Sequence, residues 1–264
     1  MALYKTQALV IGRRGLGESD RLVEFYTRDF GKLRGVARSA RRPRSRFGSA
    51  LEPFTLGELI FFDTGRSELV RVDHFDILHP FRALHEALDR LGRAAWTVEC
   101  VARLSADRDP HPALFRFLVR ALKALESSPR PAWVAACFAV RAVDLLGYRP
   151  RTDRCVVCGQ LWPFPQVALD VAAGGLVCGR CRPGPDAMPL SAATLAAFRR
   201  LRELRWEESL RLALAPAQEG DVSRIIEGVM ARLAGQIPRS SRFLAQMERP
   251  LSRVAEPAPT RRRP

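Results

Sequence analysis

The chain has 264 residues, a formal net charge of +15 and a hydrophobic fraction of 47%. No apolar run approaches the roughly 18–20 residues of a membrane-spanning helix, and Arg13 and Arg14 interrupt the start before the apolar core of a signal peptide can form. We therefore expect a cytoplasmic protein without membrane contact, in which reduced thiols make the six cysteines candidates for metal binding or burial rather than for disulfides.

The first part of the chain predicts five β-strands, because short runs rich in Val, Ile, Leu, Phe and Tyr alternate with turn-forming residues. Glycines at residues 15–17, 29–31 and 64–65 mark three of the turns. Five strands with one long connection predict a small barrel of the OB type, and half of a β-sandwich is the alternative. The strands are expected at about 3–12, 20–28, 32–39, 51–62 and 67–78.

The long connection, residues 41–48, belongs to a stretch of basic residues without a single acid. Arginine forks match phosphate groups, and Phe47 offers a ring on which a base could stack. The positive net charge also favours a polyanionic partner, although a GC-rich genome produces the same excess of arginine. We therefore expect a DNA-binding surface here, with a merely solvated charge run as the alternative. Its residues are Lys32, Arg34, Arg38, Arg41, Arg42, Arg44 and Arg46.

Beyond the fifth strand the apolar period changes from two to about 3.6, which predicts helices. An apolar stripe over residues 81–102 indicates one long helix. Pro112 and Pro131 are typical of first turns, and the side chains of Ser191 and Asp221 are expected to cap two later helices. The helices after the first are expected at about 112–127, 131–146, 191–204, 221–235 and 240–248.

Four cysteines form two C-x2-C pairs whose separation is typical of a tetrathiolate zinc site. Gly159 and Gly179 follow the pairs' inner residues and relax the turns. Four thiolates leave no coordination position for water, so we expect one structural zinc ion; an iron–sulfur centre and a vestigial site are the alternatives. Cys100 and Cys137 lie in apolar helical stretches and are expected to be buried. The proposed ligands are Cys155, Cys158, Cys178 and Cys181.

No residue set favours an enzyme. The histidines match no zinc-hydrolase spacing, the glycine-rich residues 12–19 lack the Gly-Lys-Ser/Thr of a phosphate-binding loop, and no carboxylate set suits two-metal chemistry. A metal-dependent hydrolase would need an open metal position. A zinc-ribbon transcription regulator would contact DNA through residues 153–183, which are only mildly basic.

The chain is expected to divide into three parts, an α+β multidomain arrangement. Residues 1–79 form the barrel that binds DNA, and residues 80–250 form a helical domain that carries the zinc module at about 153–183. Residues 251–264, rich in proline and arginine, are expected to form a disordered basic tail.

Short segments throughout the chain carry a recognisable pattern. They are Thr6–Ile11, Gly17–Leu22, Thr27–Lys32, Ala37–Ser45, Leu51–Phe54, Arg141, Asp144–Tyr148 and Arg239–Leu244. In this order, and with the cysteine spacing, they resemble the bacterial RecO recombination-mediator family. The resemblance covers all but about the last fifteen residues.

The resemblance implies an N-terminal OB-fold, a helical domain with an inserted zinc module, and a non-enzymatic role in DNA repair through the RecFOR pathway. RecO-like proteins bind single- and double-stranded DNA, anneal complementary strands, and act with RecR to load RecA on DNA coated by single-stranded DNA-binding protein. Such a protein works at the nucleoid during repair.

The resemblance also assigns individual residues. By position, the family's basic barrel face falls on Lys32, Arg34, Arg38, Arg41, Arg42 and Arg44. Ser39 stands where relatives often carry glycine. The cysteine set is degenerate in some relatives, which implies a stabilising role for the metal rather than a part in DNA contact.

Overall fold

The structure is a computed structural model that describes residues 2–247. Its N-terminal part is a closed barrel in which the strands follow the order β1-β2-β3-β5-β4. Only the β3–β5 pair is parallel among the barrel's strand pairs. The predicted OB-fold is confirmed, and the sandwich alternative is wrong. The strands are β1 Ala2–Leu16, β2 Asp20–Thr27, β3 Gly31–Ala37, β4 Leu56–Asp63 and β5 Leu69–His79.

Side-chain alternation along β3 shows how the barrel closes. Leu33 and Ala37 point into the core, whereas Lys32 and Arg34 point outwards and stay partly exposed. Gly35 also points inwards, and a Cβ there would lie 2.7 Å from Cγ2 of Val72. The strands can approach each other at this point only because the residue has no side chain.

The connection between β3 and β4 is longer than predicted. Residues 51–55 form turns instead of the start of β4, and Phe54 has a left-handed φ of +67°. The backbone N–H of Phe54 donates to the carbonyl of Val10 at 2.8 Å, which holds this turn against β1. The connection therefore spans residues 38–55 and covers one end of the barrel with Ala50 and Leu51, which are buried.

The rest of the described chain is mainly helical. The apolar helix α4 is buried on nearly all sides and forms the centre of the bundle, as its composition predicted. The burial of Cys100 and Cys137 is confirmed. Within the described range, no helix combines the length and the apolar character needed to span a bilayer. The helices are α1 Arg82–His85, α2 Leu88–Leu104, α3 Pro112–Ser127, α4 Pro131–Leu145, α5 Ala192–Glu203, α6 Trp206–Arg211, α7 Pro216–Leu233 and α8 Arg239–Met247.

Three helix predictions need correction. The single helix over 81–102 is wrong, because the chain breaks between α1 and α2 and Phe81 takes a left-handed φ of +47° while it is fully buried. Asp221 is not a cap but lies inside α7, which Pro216 begins five residues earlier. Helix α6 was not predicted. The Ser191 cap is confirmed, since its Oγ accepts the backbone N–H of Thr194 at 3.0 Å.

A small four-stranded sheet lies between α4 and α5. Its strands follow the order β6-β8-β7-β9, and this sheet holds the cysteine pairs. It was not predicted, because strands of three to five residues are too short for a reliable alternation. The strands are β6 Arg151–Cys155, β7 Val167–Asp170, β8 Gly175–Cys178 and β9 Met188–Leu190. The predicted disordered tail, residues 251–264, lies outside the described residues.

The barrel is fixed to the helices at the start of β3. The Lys32 ammonium donates to the carbonyl oxygens of Ala102 at 2.7 Å and Ser105 at 3.1 Å, at the C-terminal end of α2. It also lies 3.1 Å from a carboxylate oxygen of Asp107. The backbone N–H of Arg108 donates to the carbonyl of Lys32 at 3.0 Å, so the segment after α2 lies along β3.

Helix α8 closes the fold against α2. The carboxylate of Glu99 accepts the backbone N–H groups of Arg239 at 2.9 Å and Ser240 at 3.0 Å, and the Ser240 hydroxyl at 2.7 Å. Burial opposes ionisation of Glu99, but these hydrogen bonds outweigh it and lower the pKa of the carboxyl group. Glu99 therefore supplies from α2 the cap that the first turn of α8 needs.

We predict that Gly31→Ala strongly destabilises the protein. Gly31 has a φ of +65°, and a Cβ there would lie 2.3 Å from the backbone oxygen of Asp109. The expected loss in the free energy of unfolding is at least about 3 kcal/mol, measured by urea denaturation. Gly65→Ala is the matched control, because Gly65 has the same φ but nothing within 4 Å; it should lose only about 1 kcal/mol. Equal losses would contradict the close approach of the two segments.

Candidate metal centre and nucleic-acid interface

The four cysteines come together as predicted, at one end of the small sheet. Their sulfur atoms all lie within 4.8 Å of one another, and the Sγ atoms of Cys158 and Cys178 are 3.9 Å apart. Sulfurs around a tetrahedral ion with metal–sulfur bonds of about 2.3 Å lie about 3.8 Å apart. The arrangement therefore fits a single tetrahedral metal ion.

The two turns bring the sulfurs together by different means. In the first pair, the N–H of Gly159 donates to the carbonyl of Cys155 at 3.0 Å, and Gly159 has a left-handed φ of +75°. In the second, Gly179 begins a 3-10 turn over residues 179–181. A Cβ on Gly179 would lie 2.5 Å from Oε1 of Gln166, so any larger residue there would displace the Gln166 side chain.

The electrostatics of the cluster favour a cation. Burial opposes ionisation of Cys155, but backbone N–H groups of Cys158, Cys178 and Val157 point at its sulfur and lower the pKa of the thiol to about 6. The pKa of Cys181 instead rises to about 12, because hydrogen bonds with Cys158 and Cys178 retain its proton. Without a metal ion the sulfurs have to share protons, and a bound cation stabilises all four as thiolates.

The basic connection after β3 begins at a strained residue. Ser39 has a left-handed φ of +57°, a conformation that glycine adopts without steric cost. Its N–H donates to a carboxylate oxygen of Asp20 at 2.8 Å, and this hydrogen bond contributes most to the lowered pKa of Asp20. A local hydrogen bond thus supports the left-handed conformation of this serine.

The arginines of the connection differ in their surroundings. Arg38, Arg42 and Arg44 are exposed and form no ion pair with any residue from 2 to 247. Arg41 is exposed but reaches back to the β1–β2 hairpin, where its Nη1 donates to the carbonyl of Gly17 at 2.8 Å.

Phe47 does not have the exposed position that was expected, and Arg46 lies beside it. Phe47 is only 4% exposed and belongs to the core of the barrel, so the prediction that its ring is available to a base is wrong. The Arg46 guanidinium lies 5.0 Å from the centre of that ring and 4.0 Å from Asp73. The aromatic residue of the connection thus anchors it to the barrel.

The two cations on β3 have partners within the protein. Lys32 is held at the end of α2, as described above. Arg34 forms an ion pair with the exposed Glu68 at 2.7 Å and lies 3.7 Å from Asp107. The structure therefore separates these two side chains from the exposed arginines of the connection.

Sequence reasoning missed a group of arginines on the β1–β2 hairpin. Arg13, Arg14 and Arg21 line a hollow of about 400 Å³ together with Arg41. Pairing of β2 with β3 places Arg21 opposite Ala37, immediately before the basic connection. The predicted turns fix which residues of the first three strands pair with each other. That pairing places the end of β1 and the start of β2 beside the end of β3, so it could have indicated that these arginines lie near the basic connection.

Two family models match nearly the whole chain. The model "Recombination protein O N terminal" matches residues 1–81, and "Recombination protein O C terminal" matches residues 85–242.

Curated relatives agree with the family models. The chain is 35% identical over 249 residues to "DNA repair protein RecO" of Anaeromyxobacter sp. (strain K), which covers 94% of this chain and 98% of the relative. It is 36% identical over 241 residues to the protein of that name from Rubrobacter xylanophilus, covering 90% and 94%. For the Myxococcus xanthus protein the identity is 34% over 247 residues, covering 94% and 99%.

We predict that Cys155→Ser loses the bound metal and much of the stability. Wild-type protein purified without chelator should contain about one metal ion per chain by elemental analysis, and the variant should contain far less. Its free energy of unfolding should fall by at least about 3 kcal/mol, because metal binding contributes directly to folding. Cys100→Ala, at a buried cysteine outside the cluster, should keep the ion. A variant that stays as stable as the wild type would show that the cluster does not hold a structural ion.

Proposed function

The chain belongs to the RecO family of DNA repair proteins, and from this premise we propose that it is a non-enzymatic mediator of homologous recombination. It binds single- and double-stranded DNA and anneals complementary strands. With RecR, it helps to load RecA onto DNA coated by single-stranded DNA-binding protein. Its place is the cytoplasm, at the nucleoid during repair. Family membership gives no support to the transcription-regulator and hydrolase alternatives.

The observation that carries the DNA-binding proposal is the exposed basic connection at one end of the barrel. Arg38, Arg42 and Arg44 are exposed and have no ion pair within the described residues, so their guanidinium groups can replace the counterions of phosphates. Arg38 and Arg42 also lie near enough to Asp20 to help lower the pKa of its carboxyl group. Arg41 and Arg14 extend this positive surface across the neighbouring hollow, whereas Arg13 and Arg21 already pair with Glu52. Phosphate neutralisation of this kind lets two negatively charged strands approach each other during annealing.

The side chains on β3 have a smaller part in this proposal. Lys32 would have to leave two carbonyl oxygens and a carboxylate to reach a phosphate. Arg34 pairs only with exposed acids and can exchange them for phosphate at little cost. Arg46, with its side chain half exposed, lies at the margin of the surface.

We also propose that the ion held by the four cysteines is zinc, and that its role is structural. All four ligands come from the protein and are thiolates, which is the donor set of closed structural zinc sites. Cys155 and Cys178 are buried against the core of the helical part, and the ion would hold the strands of the small sheet to it.

We propose that the chain divides into three parts. Residues 1–79 act as the DNA-binding domain, residues 80–250 as the helical domain with the zinc module, and residues 251–264 as a basic tail. Separate apolar clusters support the first boundary, since most barrel residues form a core distinct from that of the helices.

The salt dependence of DNA binding tests the role of the connection. Replacing Arg41, Arg42 and Arg44 by Ala should weaken binding to a single-stranded oligonucleotide and reduce the slope of log affinity against log salt by about 2, at roughly 0.7 per phosphate contact. The variant should stay folded, because its side chains are exposed. Fluorescence anisotropy at several salt concentrations measures both quantities.

A matched control removes the same charge elsewhere. Arg116, Arg211 and Arg224 are exposed on three different helices, and their replacement by Ala should leave the slope nearly unchanged. If the two triple variants behave alike, the connection contributes only to the overall charge and the proposed surface is wrong.

A further inference from the structure

A second basic cavity lies where the metal module meets α5. It has a volume of about 380 Å³, and its walls include Arg149, Arg199, Arg202 and Trp162. These residues come from the segment after α4, from the loop between β6 and β7, and from α5. The fold alone brings them together, so their sequence positions give no sign of a common site.

The deepest of these arginines lacks a full set of acceptors. The Arg202 side chain is only 6% exposed. Its Nε donates to Oδ2 of Asp144 at 3.1 Å and its Nη1 to the carbonyl of Pro150 at 3.2 Å. Its Nη2 is buried and has no acceptor among residues 2–247. A buried N–H without an acceptor is unfavourable, and this side chain forms part of the cavity wall.

The other arginines leave the cavity with an excess of positive charge. Arg149 and Arg199 form no ion pair with any described residue. The two carboxylates in the wall already have partners outside it. Asp153 accepts from Nε of Arg154 at 2.9 Å, which lowers the pKa of Asp153, and Glu203 lies 3.9 Å from another arginine of α5. The cavity wall therefore offers a ligand two arginines without ion pairs among the described residues, whereas both of its carboxylates already have a basic neighbour.

The aromatic wall adds a second recognition element. The Arg199 guanidinium lies 5.7 Å from the centre of the Trp162 ring, and Trp162 is partly exposed. The other tryptophans, Trp96, Trp133 and Trp206, are at most 4% exposed. Arginine forks beside a partly exposed indole are a combination that can bind phosphate and base together.

We propose that this cavity binds one nucleotide of a single DNA strand. Its phosphate contacts Arg149 and Arg199, with Arg202 behind them, and its base packs against Trp162. The inference rests on the proposed function and adds a contact remote in sequence from the barrel. It gives the metal module a share in DNA binding, because the module holds Trp162 in place.

Tryptophan fluorescence tests the proposal directly, because Trp162 is the one partly exposed tryptophan in the described chain. Titration of the full-length, metal-loaded protein with oligo-dT should quench the emission, and Trp162→Phe should abolish most of the quenching. The Arg149→Ala, Arg199→Ala double variant should bind at least about tenfold more weakly, with a salt slope reduced by about 1.4. Arg149 is exposed and Arg199 is partly exposed, so this variant leaves the buried Arg202 in place.

The matched control is Arg211→Ala, Arg224→Ala, which removes the same charge away from the cavity. Affinity and quenching within twofold of the wild type are expected for it. If the cavity variant matches this control, the proposal is overturned. Quenching by inorganic phosphate alone, at the same concentration of phosphate groups, would overturn the nucleotide assignment. Quenching by an acidic peptide, without quenching by oligo-dT, would overturn it as well.

The triple variant of Arg41, Arg42 and Arg44 separates this inference from the proposed function. If the connection does not bind DNA, that variant keeps the wild-type salt slope, whatever happens at Trp162. If the cavity binds a nucleotide, quenching at Trp162 persists in that variant. Quenching that is lost in the cavity variant but kept in the triple variant therefore supports nucleotide binding in the cavity, whether or not the connection binds DNA.

Discussion

The ammonium group of Lys32 joins the start of β3 to the end of α2, and the position of the basic connection follows from this contact. The last carbonyl groups of a helix have no partner within it, and a cation is favourable at that negative end of the helix dipole. Lys32 supplies both a donor and a charge there, from a side chain only 22% exposed. The backbone of the segment after α2 then lies against Gly31, where a side chain would not fit. The start of β3 is thereby fixed to the helices.

This anchor determines where the basic connection lies. Strand β3 spans seven residues, so its far end lies about 20 Å from its start. The anchored end faces the helices, and the connection with its exposed arginines leaves from the other end. Lys32, at the start of the strand, thus holds the barrel to the helices, and the exposed arginines that follow the strand lie where a polyanion can reach them.

The net charge of the protein is therefore a poor guide to its interface. Several cations stabilise the fold: Arg93 is buried and pairs with Glu227, and Arg202 pairs with Asp144. Others, such as Arg14 and Arg44, have no ion pair in the described part of the chain. What distinguishes the two groups is the presence of a nearby carboxylate or carbonyl oxygen, which depends on tertiary packing.

The sequence predicts features that depend on local patterns, but not those that depend on tertiary packing. The barrel strands, α3, α4 and the Ser191 cap follow from local patterns, and the cysteine cluster follows from spacing, so they could be predicted from the sequence. The break between α1 and α2 could not, because the apolar stripe continues across it while Ala87 takes an extended conformation and begins a second helix. Phe47 was assigned to DNA and Asp221 to a cap because their neighbours in sequence are polar, whereas barrel packing and Pro216 decide their roles.

The salt dependence of DNA binding by a Lys32→Met variant tests most directly whether the anchoring cation and the DNA-binding cations are separate. Methionine keeps the length of the side chain but removes the charge and the donors. The measurement is made under conditions in which the variant is folded. If Lys32 anchors the barrel, the slope of log affinity against log salt equals that of the wild type. A slope reduced by about 0.7, the contribution of one phosphate contact on a single strand, would contradict this and return Lys32 to the DNA-binding surface.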